Sequence, residues 1–248
     1  MAGHSKWANI KRRKGAQDAK RGKIFTKLIK EIHVAVKEGG GPDQDANPRL
    51  RLAIQNAKGV NMPKDNIERA IKKASGADAT EYTTHTYEGY GPHGIAVFVE
   101  TMTDNLNRTV AAVRAAFTKY GGSLGTNGSL DFIFDRKGVF TFKKPEGMER
   151  EEFELEVIDA GAEEVEENDG FITIYTAMED FGSMQSKLEE LNIETETSEL
   201  QRIPKTTTSL GDEDLQSVWK LIEALEDDDD VQKVYHNLDI NESQYELI

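Results

Sequence analysis

The spacing of apolar residues changes at Gly76, and no other feature limits so strongly what this chain can fold into. Before it, apolar side chains recur at helical spacing in three runs: Ile24, Phe25, Leu28, Ile29, Ile32, Ala35 and Val36, then Leu50, Leu52, Ile54, Ala57 and Val60, then Ile67, Ala70, Ile71 and Ala74. Helices are expected over 20–37, from Pro48 behind an Asn47 cap, and from Pro63, with Gly39 and Gly76 as stops. After Gly76 short strand-like runs interleave with helical ones. Strands are expected at 82–90 and 95–101 around Gly91-Pro92-His93-Gly94, a helix over 105–120, and a hairpin whose arms, 131–135 and 139–143, flank Arg136-Lys137-Gly138.

From Val139 the order is strand, helix 149–160, strand 163–167, strand 171–176, helix 178–190, strand 193–200, the β-α-β-β-α-β order of a ferredoxin-like unit. A short strand at 206–210, a helix over 212–226 with Leu215, Val218, Trp219, Ile222 and Leu225 as its apolar stripe, and a strand at 231–237 follow. The elements on either side of the ferredoxin-like unit lack partners unless they pair with each other. The expected fold is therefore α+β and multidomain: an N-terminal three-helix bundle (1–78), then two α/β sandwich domains, the middle one discontinuous (79–136 plus 204–248) and the last ferredoxin-like and inserted into it (137–203).

Charge divides at the same place. Residues 1–76 hold 18 Lys or Arg against 7 Asp or Glu, net +11, and the remaining 172 hold 13 against 38, net −25. The cations concentrate further in 3–30, where Lys6, Lys11, Arg12, Arg13, Lys14, Lys20, Arg21, Lys23, Lys27 and Lys30 face one acid, Asp18. A basic head on an acidic body points to a polyanion partner, and the repelling body orients the head toward it. In the first helix the lysines fall opposite the apolar side chains, as a line of cations suited to a phosphate backbone, and Trp7 of the arm is suited to stack on a base. Residues 2–19 hold few apolar groups and repel one another, which predicts mobility.

Other chemistries find little support. With no cysteine, disulfides, thiolate metal sites and Cys nucleophiles are excluded. His4, His33, His85, His93 and His236 lack metal-binding spacing, no GxSxG elbow occurs, and the acidic run 226–230 has no glycine bend of a calcium loop, so a solvated turn is expected there. The stretch GGSLGTNGS has no Lys-Ser or Lys-Thr and is not read as a nucleotide loop. The expectations are no enzyme, no metal and no cofactor. No apolar run reaches the ~18 residues of a membrane span and the N-terminus lacks an apolar signal region, so a monomeric cytoplasmic protein without membrane contact is expected, its acidic domains open to a protein partner. Tyr87 and Tyr90 in YEGYGPHG are either stacking platforms or packing aromatics. TDNLNRT reads as a helix start capped by Asp104 or Thr103, leaving Arg108 free to face an anion.

GHSKWANIKRRKGAQDAKRGKIF, NPRLRLAIQNAKGVNMPKDNIERAIKKASG, YEGYGPHG and TDNLNRTVAAVRAAFTKYGGSLGTNGS together resemble the YebC/PmpR family along the length of the chain. Arg12 stands where a histidine is frequent in that family, and Leu106 where an arginine is. The resemblance implies three domains, one interrupted by another. It also implies a nucleic-acid-binding regulator of gene expression: bacterial members carry the label of DNA-binding transcriptional regulators, acting on duplex DNA. A mitochondrial member is a translational activator, and bacterial relatives are tied to synthesis of proline-rich stretches, which implies ribosomal RNA as the alternative target.

Overall fold

The computed structural model describes residues 18–145, Gly147 and 149–248, and side chains from Gly22 onward with Glu242 excepted. Lys6, Trp7, Lys11, Arg12, Arg13 and Lys14, the side chains of Lys20 and Arg21, and the expected mobility of 2–17 lie outside the described residues; Asp18 and Ala19 are helical.

Three helices open the fold: α1 (Asp18–Glu38), α2 (Pro48–Gly59) and α3 (Lys64–Ala74). Asn47 caps α2 by accepting from Leu50 N at 2.9 Å, and its amide reaches back to the carbonyls of Ala35 and Gly41, so one residue joins the end of α1 to the start of α2. The bundle closes over Ile32, Ala35, Leu50, Ala53, Ala57, Ile67 and Ala74.

The first sheet runs in the order β3-β1-β2-β9, from β1 (Thr83–Tyr90), β2 (Ala96–Thr103), β3 (Ser123–Leu124) and β9 (Val231–His236). β2 is central and buried on both faces. One face, with Val97 and Val99, meets α4 (Leu106–Lys119) and α7 (Asp212–Glu226); the other, with Ala96 and Phe98, meets Leu130 and Phe134. The second sheet, β5-β6-β4-β7, is antiparallel and built from β4 (Phe134–Lys143), β5 (Ala162–Asn168), β6 (Phe171–Ala177) and β7 (Thr197–Pro204). Phe140, Phe142, Ile172 and Ile174 on it pack under α5 (Arg150–Asp159) and α6 (Phe181–Glu190), as the ferredoxin-like order requires. β8 (Thr208–Ser209) and β10 (Leu238–Asp239) form a small parallel pair.

Three expectations need correction. The hairpin at Arg136-Lys137-Gly138 does not exist: β4 runs straight through, paired with β7 from Phe134↔Pro204 to Thr141↔Thr197, and this two-strand ribbon is the neck of the insertion. Gly138 serves close approach rather than a turn, since a Cβ there would lie 2.4 Å from Thr176 Oγ1. The last ferredoxin strand sits at 197–204 instead of 193–200, because Asn192 turns the chain at φ 55° and pairing to β4 sets the register from Thr197 onward. The cap of α4 is Asn105, accepting from Arg108 N at 3.1 Å, because Asp104 and Thr103 point instead at Arg108 and Asp230.

Candidate nucleic-acid interface

On α1 the apolar side chains face α2 and α3, and the described lysines of the opposite side line up at 23, 27 and 30. That line is closed off from solvent at Lys30, while its Lys23 end stays 40% exposed. It meets the acidic turn 226–230 that joins α7 to β9. Lys23 Nζ donates to Asp227 Oδ1 at 2.7 Å and to its carbonyl at 3.1 Å, and Lys27 Nζ to the Glu226 carbonyl at 2.9 Å. Lys30 Nζ donates to the carbonyls of Asp229 (2.7 Å) and Met102 (3.3 Å) and to Asp230 Oδ1 (2.8 Å). All three of its hydrogens are engaged and its side chain is 10% exposed, which corrects the expectation of Lys30 as a surface contact. The turn, expected to be solvated, ends in the buried Asp230.

Asp230 is the hub. Besides Lys30 it accepts from Arg108 Nη2 (2.6 Å) and Nε (3.1 Å), Thr109 Oγ1 (2.8 Å) and Thr103 Oγ1 (3.2 Å). Burial pushes its carboxyl up, but the hydrogen bonds from Lys30, Arg108 and Thr109 outweigh burial and hold it at about 2. A folded value below the ordinary 3.8 stabilises the fold fully above about pH 4, and that contribution disappears as pH falls through about 2. The shift corresponds to about 2 kcal/mol. In urea titrations, the stability difference between the wild type and Asp230→Asn should shrink by about 2 kcal/mol between about pH 5 and pH 2.

Arg108 is therefore engaged by Asp230 and, at 2.9 Å, by Asp104, while its side chain stays 53% exposed. Leu106 beside it is 45% exposed. The two tyrosines of YEGYGPHG part company, because residues three apart on a strand point to opposite faces. Tyr87 packs against the core under α4 and α7, whereas Tyr90, opposite Ala96, stays 38% exposed on the other face. Between them Glu88 does something the residue pattern did not reveal. Its buried carboxylate accepts from Gly128 N and Leu130 N, both at 2.7 Å, and its carbonyl from Gly125 N, so the glycine-rich loop does cradle an anion, but one from its own chain. Only the fold brings residue 88 under 125–130.

A second junction holds the bundle to the second sheet. Asn56 and the backbone of Ser198 exchange two bonds (3.0 and 3.1 Å), Gln55 Nε2 donates to Thr195 Oγ1 at 2.6 Å, and Gly59 passes so close that a Cβ would lie 2.0 Å from the Glu196 carbonyl. Beside them Lys233 pairs with Glu199 at 2.6 Å, and Arg202 lies 3.7 Å over the Phe98 ring and 3.5 Å from Glu100. Burial alone would lower the Lys233 ammonium; Glu199, Tyr235 and Glu31 outweigh it and raise it. Glu31 is raised by burial, with Lys233 opposing.

Among the described residues, Lys37, Arg51, Lys58, Arg69, Lys72 and Lys73 are the exposed bundle cations without an ion pair, all on the rest of its surface. Burial and the charges of Lys73 and Lys37 lower the pKa of His33, which is buried against Tyr82. Among the described residues no group of three or more His, Asp or Glu is placed to hold a metal ion, and no helix is long and apolar enough to cross a membrane. His93 approaches both Ser217 Oγ (3.0 Å) and Asp214 Oδ1 (3.6 Å) through the same Nε2, so the three do not form a relay.

A probable transcriptional regulatory protein of Amoebophilus asiaticus is 58% identical over 240 residues, covering 96% of this chain and 98% of its own. One from Geobacillus thermodenitrificans is 54% identical over 241 residues, covering 96% and 97%. The crystal structure of a conserved hypothetical protein from Aquifex aeolicus superposes with a TM-score of 0.79 at 43% identity, covering 91% of this chain and 93% of that one. The model of the TACO1/YebC N-terminal domain matches residues 5–77 and that of the second and third domains matches 82–238, the helical bundle and the two sheets respectively, so the chain belongs to the TACO1/YebC family.

Proposed function

We propose that this protein is a non-enzymatic nucleic-acid-binding regulator of gene expression, docked through its N-terminal cations and carried by an acidic scaffold. The relatives named as probable transcriptional regulatory proteins support the regulator part of this reading. The observation that carries the nucleic-acid part is the division of charge, +11 over residues 1–76 against −25 beyond them. The proposed contacts are Lys6, Trp7, Lys11, Arg12, Arg13, Lys14, Lys20 and Arg21, in the arm and at the start of α1, with phosphate neutralisation as the source of affinity.

Duplex DNA is the target that the relatives' name favours. A specific observation favours structured RNA. A helix-turn-helix protein needs a free recognition helix, but α2 is held against the third domain through Gln55, Asn56 and Gly59, and the exposed side of α3 mixes Asp65 and Glu68 with Arg69, Lys72 and Lys73. A cationic arm with one aromatic suits shape and unstacked bases better than a groove code. The discriminating experiment is co-sedimentation with purified ribosomes at about 0.15 M salt, where the screening length is about 8 Å, with excess duplex DNA as competitor. Pelleting that survives the DNA is the expected result and assigns the arm to ribosomal RNA. Release by the DNA assigns it to the duplex, and no retention on either overturns the nucleic-acid reading.

A further inference from the structure

Resting on that reading, we infer that the acidic turn 226–230 is an internal competitor for the phosphodiester backbone. Lys23 and Lys27 are backbone contacts that the turn occupies until a nucleic acid displaces it, and Lys30 is the pivot that stays in place.

The turn answers α1 as an anionic strand would. Lysines at 23, 27 and 30 lie on one line along the helix. Opposite them in turn stand the Asp227 carboxylate, the Glu226 carbonyl, and the Asp229 carbonyl with the Asp230 carboxylate. The strength of these contacts is graded along the line. At the inner end Lys30 and Asp230 are 10% and 7% exposed, and freeing either would strand a charge away from water. At the outer end Lys23 and Asp227 are 40% and 73% exposed, and an exposed pair of this kind shifts an equilibrium by no more than roughly fivefold. A phosphate replaces Asp227 there at little cost.

Mere attachment of the bundle does not need this outer pair. The Lys30 pivot and the buried exchange between Asn56 and Ser198 already hold the bundle to the other two domains. The outer pair sits toward the N-terminal end of α1, the end that follows the basic residues in sequence. A strand entering from the N-terminal end of α1 therefore reaches Lys23 before Lys27. Asp229, exposed at the same turn, adds repulsion that the incoming backbone must overcome. The device lowers affinity for stray polyanions and favours a ligand long enough to engage arm and helix together.

The test is a double-mutant cycle in the full chain between Lys23→Ala and Asp227→Asn. It is read by equilibrium binding to a single-stranded RNA and, separately, to a DNA duplex, each of about 20 nucleotides or base pairs, across a salt series near 0.1 M. Asp159→Asn, on the outer face of α5, controls for the change in net charge. The expected result is a roughly two- to fivefold rise in affinity for Asp227→Asn, absent in Asp159→Asn and abolished in the Lys23→Ala background. The Asp227→Asn protein should also show a log K against log salt slope steeper by about 0.9 on the duplex, or about 0.7 on the single strand. An Asp227→Asn effect that persists undiminished without Lys23, or no effect at all while the wild type binds, overturns the competitor. If neither the wild type nor any variant binds either probe, the nucleic-acid reading itself falls and takes the competitor with it. The better probe tells RNA from DNA.

Discussion

Asp230→Ala should cost about 3–5 kcal/mol at neutral pH, the range for removing one member of a buried ion pair. Four side chains converge on this carboxylate, from α1 (Lys30), the end of β2 (Thr103) and α4 (Arg108, Thr109), so its loss leaves donors from three elements without their acceptor. The loss exceeds the roughly 2 kcal/mol tied to protonation, because a protonated carboxyl still fills the space and still accepts, whereas alanine does neither. For a chain of 248 residues this amounts to a fall of about 10 °C in Tm. Adding Lys30→Met should return part of the stability, since the stranded ammonium is then gone. Scanning calorimetry of the single and double variants checks both. A loss under about 1 kcal/mol would mean that solvent reaches the carboxylate and that the hub contributes as a surface pair does.

Replacing Lys11, Arg12, Arg13 and Lys14 together by alanine should nearly abolish nucleic-acid binding at about 0.15 M salt. Each phosphate neutralised on a duplex releases about 0.9 of a counterion, so four lost contacts flatten the salt slope by about 3.6, or by about 2.8 on a single strand. Extrapolated to that salt, affinity falls by roughly a thousandfold. Measured at several salt concentrations, the slope separates this mechanism from loss of one specific base contact, which would shift affinity and leave the slope unchanged. Trp7→Ala is the matching control: its stacking contributes about 1–3 kcal/mol without a change in slope. A variant with an unaltered slope would move the contact surface away from the arm, and Lys37, Lys72 and Lys73 would be the next cations to neutralise.

Much of the architecture was legible in residue order. Helical spacing, Asn47-Pro48, and alternating runs bounded by glycines are local signals, and local signals specify local structure. The β-α-β-β-α-β order identifies the inserted sheet, because few topologies accept it. Where the reading went wrong, local and tertiary preferences disagree. Arg136-Lys137-Gly138 has the composition of a turn, yet ladder pairing on both sides of β4 carries the strand through it, and the glycine answers to Thr176 instead.

The site was less legible, for a physical reason. Charge is counted along a chain, but its effect depends on what lies within a few ångströms, and that is set by folding. A lysine in a cationic stripe looks the same in sequence whether it meets water or Asp230, which lies 200 residues from Lys30. Likewise a glycine-rich loop announces backbone N–H groups free to bind an anion, but not that Glu88 occupies them. By itself the sequence determined the elements, their order and the division of charge at Gly76, since each depends on neighbours in the chain. Only the tertiary structure decided which of those charges are spent inside the molecule, because long-range contacts alone place the acidic turn against α1.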